Sequence, residues 1–196
     1  MPRIAPAASD HRVTAAPTGR QNRTMGPKAI AAGLFLAWAV HDLEEILGTP
    51  YWRDDVVPRL RQRYPRVPAA AWRAARIDTD QMAVAVGLVA VPVAAAAAYG
   101  VATGGRSPLF QATLTVYGIH GVGHVAGSIL ARDYTPGVLT SPLLVVPYAL
   151  WARHRLRRIG AWQPLAGRDL AWSLLALPPL LAGAQLTARL LTRRRR

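Results

Sequence analysis

The chain has 196 residues, 52% of them hydrophobic, with no cysteine and a formal net charge of +14. Without cysteine there are no disulfides and no thiolate chemistry, so a metal site would have to use histidine and carboxylate ligands. A charge that basic would suit nucleic acid or an anionic surface, and its placement argues against nucleic acid, because the arginines cluster between long uncharged stretches and no basic helix interleaves with aromatics as a nucleic-acid groove would need.

In chain order, residues 1–26 come first. They carry Pro2, Pro6 and Pro17 among scattered alanine and arginine, and have no apolar core followed by a cleavage site. A disordered basic tail is expected there, and a single membrane helical domain over 27–192. A bilayer-crossing helix needs about 20 mostly apolar residues. Ala29–Val40 is too short alone and becomes long enough only by taking in His41, Asp42, Glu44 and Glu45 as far as Leu47. Such acids should face protein, water or the interface rather than lipid. Residues 48–79 follow, with seven arginines among Tyr51, Trp52, Tyr64 and Trp72, a composition that suggests amphipathic helices on the bilayer surface. Ala69–Arg76 is the strongest helix candidate there.

Gln81–Gly105 is uncharged, with Asp78 and Gln81 spaced as a capping box and Gly104-Gly105 as a stop. Ser107–Ala131 opens with Ser107-Pro108, an N-cap followed by proline at the first helical position. Tyr134–Ala152 opens the same way at Thr135-Pro136, and Leu170–Ala188 is uncharged with Pro178 and Pro179 inside. Backbone groups in lipid must pair internally, so these segments are helices. The expected fold is an all-α polytopic membrane bundle of five spans, or four if the proline-rich fourth segment is re-entrant. Arginine clusters on both sides leave orientation almost undetermined, with a slight lean to a cytoplasmic N-terminus.

Two groups of residues carry chemistry. On a helix, residues three and four apart share a face, so His41, Glu44 and Glu45 point one way and Asp42 is turned about a quarter-turn aside. His120 and His124 share a face of the third span, flanked by Gly121 and Gly123, with Gly123 and Gly127 forming a helix-packing pattern. The first and third spans run parallel, which puts both groups toward the same side of the membrane. Asp78 and Asp80 begin the antiparallel second span on that side; Asp80 could join the cluster, and capping is the more economical role for Asp78. Carboxylates crowded in a poorly solvated place cannot all ionise cheaply, and a divalent cation would neutralise them. His41, Glu44, Glu45, His120 and His124 are the expected metal ligands, suited to zinc, iron or manganese. Glu45 would ligate or act as general base, and Glu44 would complete the shell. The ligand atoms should then lie within about 4–5 Å of one another. The bland alternatives are a helix end reaching into the headgroups and a pair of core histidines.

The string His41-Asp42-Leu43-Glu44-Glu45, the later His120 and His124, and Arg132-Asp133-Tyr134-Thr135-Pro136-Gly137-Val138 together resemble the HXXEE-motif family of bacterial membrane proteins. The resemblance covers about residues 29–155 and implies a bacterial cell-membrane location and a role for His41, Glu44 and Glu45, with no established activity. From the residues themselves, the leading expectation is a metal-dependent membrane enzyme, a hydrolase or oxidase of a lipid-like substrate, with the bilayer as its surroundings. A proton- or cation-coupled transporter and a structural membrane protein are the alternatives; the missing internal repeat counts against transport. Arg132 and Tyr134 are expected as interfacial anchors. Oligomeric state is not legible.

Overall fold

The computed structural model describes residues 26–164 and 167–193. The expected tail lies outside them except for Gly26, which precedes the first helix. Every regular element among the described residues is helical. Helix α1 spans Pro27–Tyr51 and runs through a π-helical turn, Trp52–Val56, into α2, Val57–Arg63. Helix α3 is Ala69–Ala75, α4 Thr79–Ala102 and α5 Pro108–Ala131. A second π-helical turn, Ser141–Val145, leads into α6, Val146–Arg158, and α7 is Gly167–Arg193.

Among the described residues, three helices are long and apolar enough to cross a membrane: Thr79–Ala102, Pro108–Ala131 and Leu170–Arg193. The first and fourth expected spans fall short of that standard for different reasons. Helix α1 has 25 residues, but its C-terminal half holds the His/Glu group. The fourth segment starts late. Thr135 and Pro136 do not open it; residues 136–139 form a turn, and helix begins at Thr140. The physical reason is Glu44, whose carboxylate accepts from the backbone N–H of Leu139 (3.1 Å) and Thr140 (2.8 Å) and so caps that start from another helix.

Other caps follow the local rules. Ser107 accepts from the Phe110 N–H with Pro108 behind it, and Gly105 (φ +83°) donates to the Gly100 carbonyl at 2.7 Å as α4 stops. Asp78 is different. It stands at the N-cap of α4 without a side-chain cap bond, and Arg53 donates to it at 3.0 Å instead.

Helix α1 packs on α4, α4 on α7, and α5 on α6. Ile30, Leu34, Trp38, Phe110, Leu114 and Val145 form the buried centre. At the end away from the histidines, Gln111 ties three segments together: it donates to the carbonyls of Gly105 and Ala161 and accepts from the Gln163 N–H. The expected glycine pattern divides. A Cβ on Gly121 would meet Val145 at 2.7 Å, and one on Gly118 would meet Ala149 at 2.9 Å, so those two glycines let the second π-helical turn and α6 approach α5. Gly123 and Gly127 face open space and meet nothing among the described residues. Large apolar side chains such as Leu36, Val91, Ile129, Leu143 and Leu175 stay exposed on the outside, as on a surface solvated by lipid.

Candidate metal centre

Four side chains converge where the C-terminal half of α1 meets that of α5. His41 and Glu45 stand one turn apart on α1, and His120 and His124 one turn apart on α5. One ligand atom from each of the four lies within 4.8 Å of all the others. Glu45 Oε1 is 3.0 Å from His124 Nε2, 3.5 Å from His41 Nε2 and 3.8 Å from His120 Nε2, while the two α5 nitrogens are 2.8 Å apart. Four ligands placed tetrahedrally at 2.0–2.1 Å from zinc would be roughly 3.3 Å from one another, and these separations bracket that value.

His41 gives an independent test of whether the group suits a cation. It is fully buried, and its Nδ1 lies 2.7 Å from Thr140 Oγ1. Thr140 donates its only hydroxyl proton to Glu44 Oε2 at 2.6 Å. The hydroxyl can therefore only accept from His41, which puts the imidazole proton on Nδ1 and leaves Nε2 a lone pair. That buried Nε2 has no hydrogen-bond partner and faces a carboxylate oxygen. Two lone pairs brought together in a poorly solvated place call for a positive charge between them. The donor set therefore fits a divalent metal.

Glu44 is placed outside this group of four. Its carboxylate accepts from the Leu139 and Thr140 N–H groups, the Thr140 hydroxyl and the Tyr134 hydroxyl (3.3 Å), so both oxygens are engaged by protein donors. Asp80, at the start of α4, is exposed and also stands outside the group. Asp42 is not one of the four converging residues, yet it is buried and lines the same cavity as Glu45, His120 and His124, which the quarter-turn offset alone did not lead one to expect. The Tyr134 hydroxyl donates to Glu44, and burial together with the Glu44 carboxylate pushes its pKa up to about 12. Arg132 ends α5 in a left-handed conformation (φ 51°), and its carbonyl accepts from Arg63.

Two contributors escaped the sequence reading. Thr140 belongs to no charged or histidine pattern, so only its contacts reveal it. Gly137 has φ +85°, and a Cβ there would stand 2.7 Å from His41 Cε1 and 2.9 Å from His124 Nδ1. The turn backbone thus lies against both rings, with no room for a side chain. Its place in the Tyr-Thr-Pro-Gly string was the one available signal.

The cavity beside the group measures about 500 Å³. Its walls are apolar, with Leu34 and Trp38 of α1, Val86 and Val93 of α4, Leu109 of α5 and Leu177 of α7; Glu45, His120 and His124 stand at its polar end. Along α5 it reaches from Leu109 to His124, a length of about 22 Å at 1.5 Å rise per residue.

A family model described as a protein of unknown function with an HXXEE motif matches residues 32–152. The chain belongs to this HXXEE-motif family. The matched region holds all four converging side chains together with Glu44, Gly137 and Thr140. No curated protein and no solved structure matches the chain.

Proposed function

We propose that this HXXEE-motif protein is a metal-dependent membrane enzyme, hydrolytic or oxidative, acting on a lipid-like substrate in a cell membrane. The observation that carries the reading is a group of three imidazoles and one carboxylate, of which Glu45, His120 and His124 line one part of a long, mostly apolar cavity while His41 is buried behind them. A pocket of this size, apolar along its walls and polar at one end, suits a single-chain amphiphile with its reacting group at the histidines. In this reading α1 and the segment 141–158 also cross the bilayer, giving five spans, with α1's polar residues turned into protein.

His41, His120 and His124 would hold a divalent zinc, iron or manganese ion. Bound there, the ion would supply Lewis acidity toward a carbonyl or phosphoryl oxygen and lower the pKa of water. Glu45 reaches the ligand corner through Oε1, which supports its role as fourth ligand or as base toward water from the cavity side. Glu44 acts one step removed, holding Thr140, which in turn holds the His41 ring in the tautomer that leaves Nε2 free. A dinuclear centre would need Glu44 as a further ligand, and its bonds to the 139–140 turn favour a single ion.

Elemental analysis of detergent-purified protein tests the reading. About one divalent ion per chain is expected, lost on changing His120 or His124 to alanine and largely kept on Asp42→Asn. Protein that carries no metal and takes up neither zinc, iron nor manganese on titration would sink it.

A further inference from the structure

A second cavity, of about 740 Å³, lies between α2 and α3, and none of the four converging residues lines it. Arg61, Arg73 and Arg76 line it together with Gln62 and the indole of Trp72. The Trp72 Nε1 is shut off from solvent and has no hydrogen-bond partner. Among the described residues, the three arginine side chains make no ion pair and no hydrogen bond. The nearby acids are already engaged: Arg53 binds Asp54 at 2.6 Å and Asp78 at 3.0 Å. Over residues 56–77 the chain has six arginines and no acid, and of these Arg59 is held by Asp133. The pocket thus offers several donors and a net positive charge, which Asp54, itself paired with Arg53, offsets only in part at Arg76.

The walls are held by the flanking elements. Trp52 Nε1 donates to the Ala75 carbonyl at 2.9 Å, which fixes the end of α3 to the turn after α1, and Arg53 fixes the start of α4. Placement sets the class of ligand. The pocket lies between the last turn of α1 at Tyr51 and the first of α4 at Thr79, where the apolar run of α4 begins. Tyr51, Trp52, Tyr64 and Trp72 fall in this same stretch of chain, a composition common at the membrane–water boundary.

We propose that the α2–α3 pocket binds the phosphate of an anionic phospholipid headgroup. Guanidinium groups and an indole N–H are donors only, and phosphate oxygens are acceptors only, so the two sets are complementary. The site is independent of the His/Glu centre and of any chemistry there.

The test is native mass spectrometry of the full-length, detergent-purified protein titrated with phosphatidylglycerol, phosphatidylcholine or inorganic phosphate. One phosphatidylglycerol per chain is expected, with phosphatidylcholine held about tenfold more weakly. The triple change Arg61→Gln, Arg73→Gln, Arg76→Gln should weaken phosphatidylglycerol at least about tenfold. Trp72→Phe, which keeps the ring and removes the N–H, should weaken it about fivefold or more. The control triple Arg155→Gln, Arg157→Gln, Arg158→Gln should leave it unchanged. Equal loss in the control would show general electrostatic attraction and overturn the site. Displacement of phosphatidylglycerol by an equal concentration of inorganic phosphate would overturn the lipid assignment in favour of a free anion. If the first triple does not fold, Trp72→Phe decides, and undiminished binding by that variant overturns the proposal.

Discussion

Thr140→Val keeps the shape of the side chain and removes the hydroxyl between His41 and Glu44. His41 would lose its tautomer control, and Glu44 one of its four donors. Partners of this kind are worth about 10–100-fold in metal affinity, so zinc binding should weaken by that range with helix content unchanged, and Thr140→Ser should restore it. Wild-type affinity in the valine variant, measured by competition with a chelator, would remove Thr140 from the site. Gly137→Ala is the harsher change. It combines a left-handed backbone with a Cβ pressed into His41 and His124. A cost of about 1–3 kcal/mol in stability and loss of bound metal are expected, both read on the purified protein by thermal unfolding and elemental analysis. Glycine here is set by the closeness of two imidazoles to a turn.

At the scale of the elements, α5 gives a matched pair. Gly121→Ala places a methyl against Val145 and should lower the unfolding temperature, whereas Gly123→Ala meets nothing and should leave it unchanged or slightly raised. The reverse order would mean that the Gly123 face packs on another molecule. Helix α2 is clipped to the end of α5 by Arg59, which donates to both oxygens of Asp133 at 2.9 Å. The Arg59 guanidinium holds the Asp133 carboxyl below its ordinary value of about 3.9. The clip therefore adds stability above about pH 4, and that addition is lost as pH falls through the lowered value. Arg59 is well exposed, so the effect is small. It should appear as an acid limb in thermal stability that is flatter in Asp133→Asn than in the wild type. Identical limbs would show that the clip contributes nothing measurable.

For the whole molecule, the five-span reading makes a topological prediction that the absence of cysteine renders simple to check. Single cysteines placed at Arg66 and at Arg106 should be labelled by an impermeant thiol reagent from opposite sides of a sealed membrane, and one placed at Asp133 from the same side as Arg66. Labelling of all three from one side would contradict five spans. Deleting residues 1–24 should leave insertion and thermal stability unchanged, because that composition has too little apolar surface to pack. A truncated chain that fails to insert would show the tail to be structural.

Helix type, most boundaries and the two histidine-bearing faces were legible in the sequence, because each depends on local rules. Ser107-Pro108 starts α5, Gly104-Gly105 stops α4, and i to i+4 spacing aims His41 with Glu45 and His120 with His124. Equal depth on parallel helices was enough to bring those pairs together. What tertiary structure alone decided were the pairings between segments distant in the chain. Glu44 shares a helical face with His41, so spacing made it a ligand candidate; the 139–140 turn, some 95 residues away, takes up its oxygens. The same contact moves the start of the fourth helical segment beyond Pro136, since N–H groups capped from outside need no local N-cap. Asp42 lies a quarter-turn off the His41–Glu45 face by its period, and whether that offset meets lipid or the cavity shared with His120 and His124 depends on where α4, α5 and α7 stand around α1. Periodicity gives the direction of a side chain from its own helix axis, and only packing determines what it meets there.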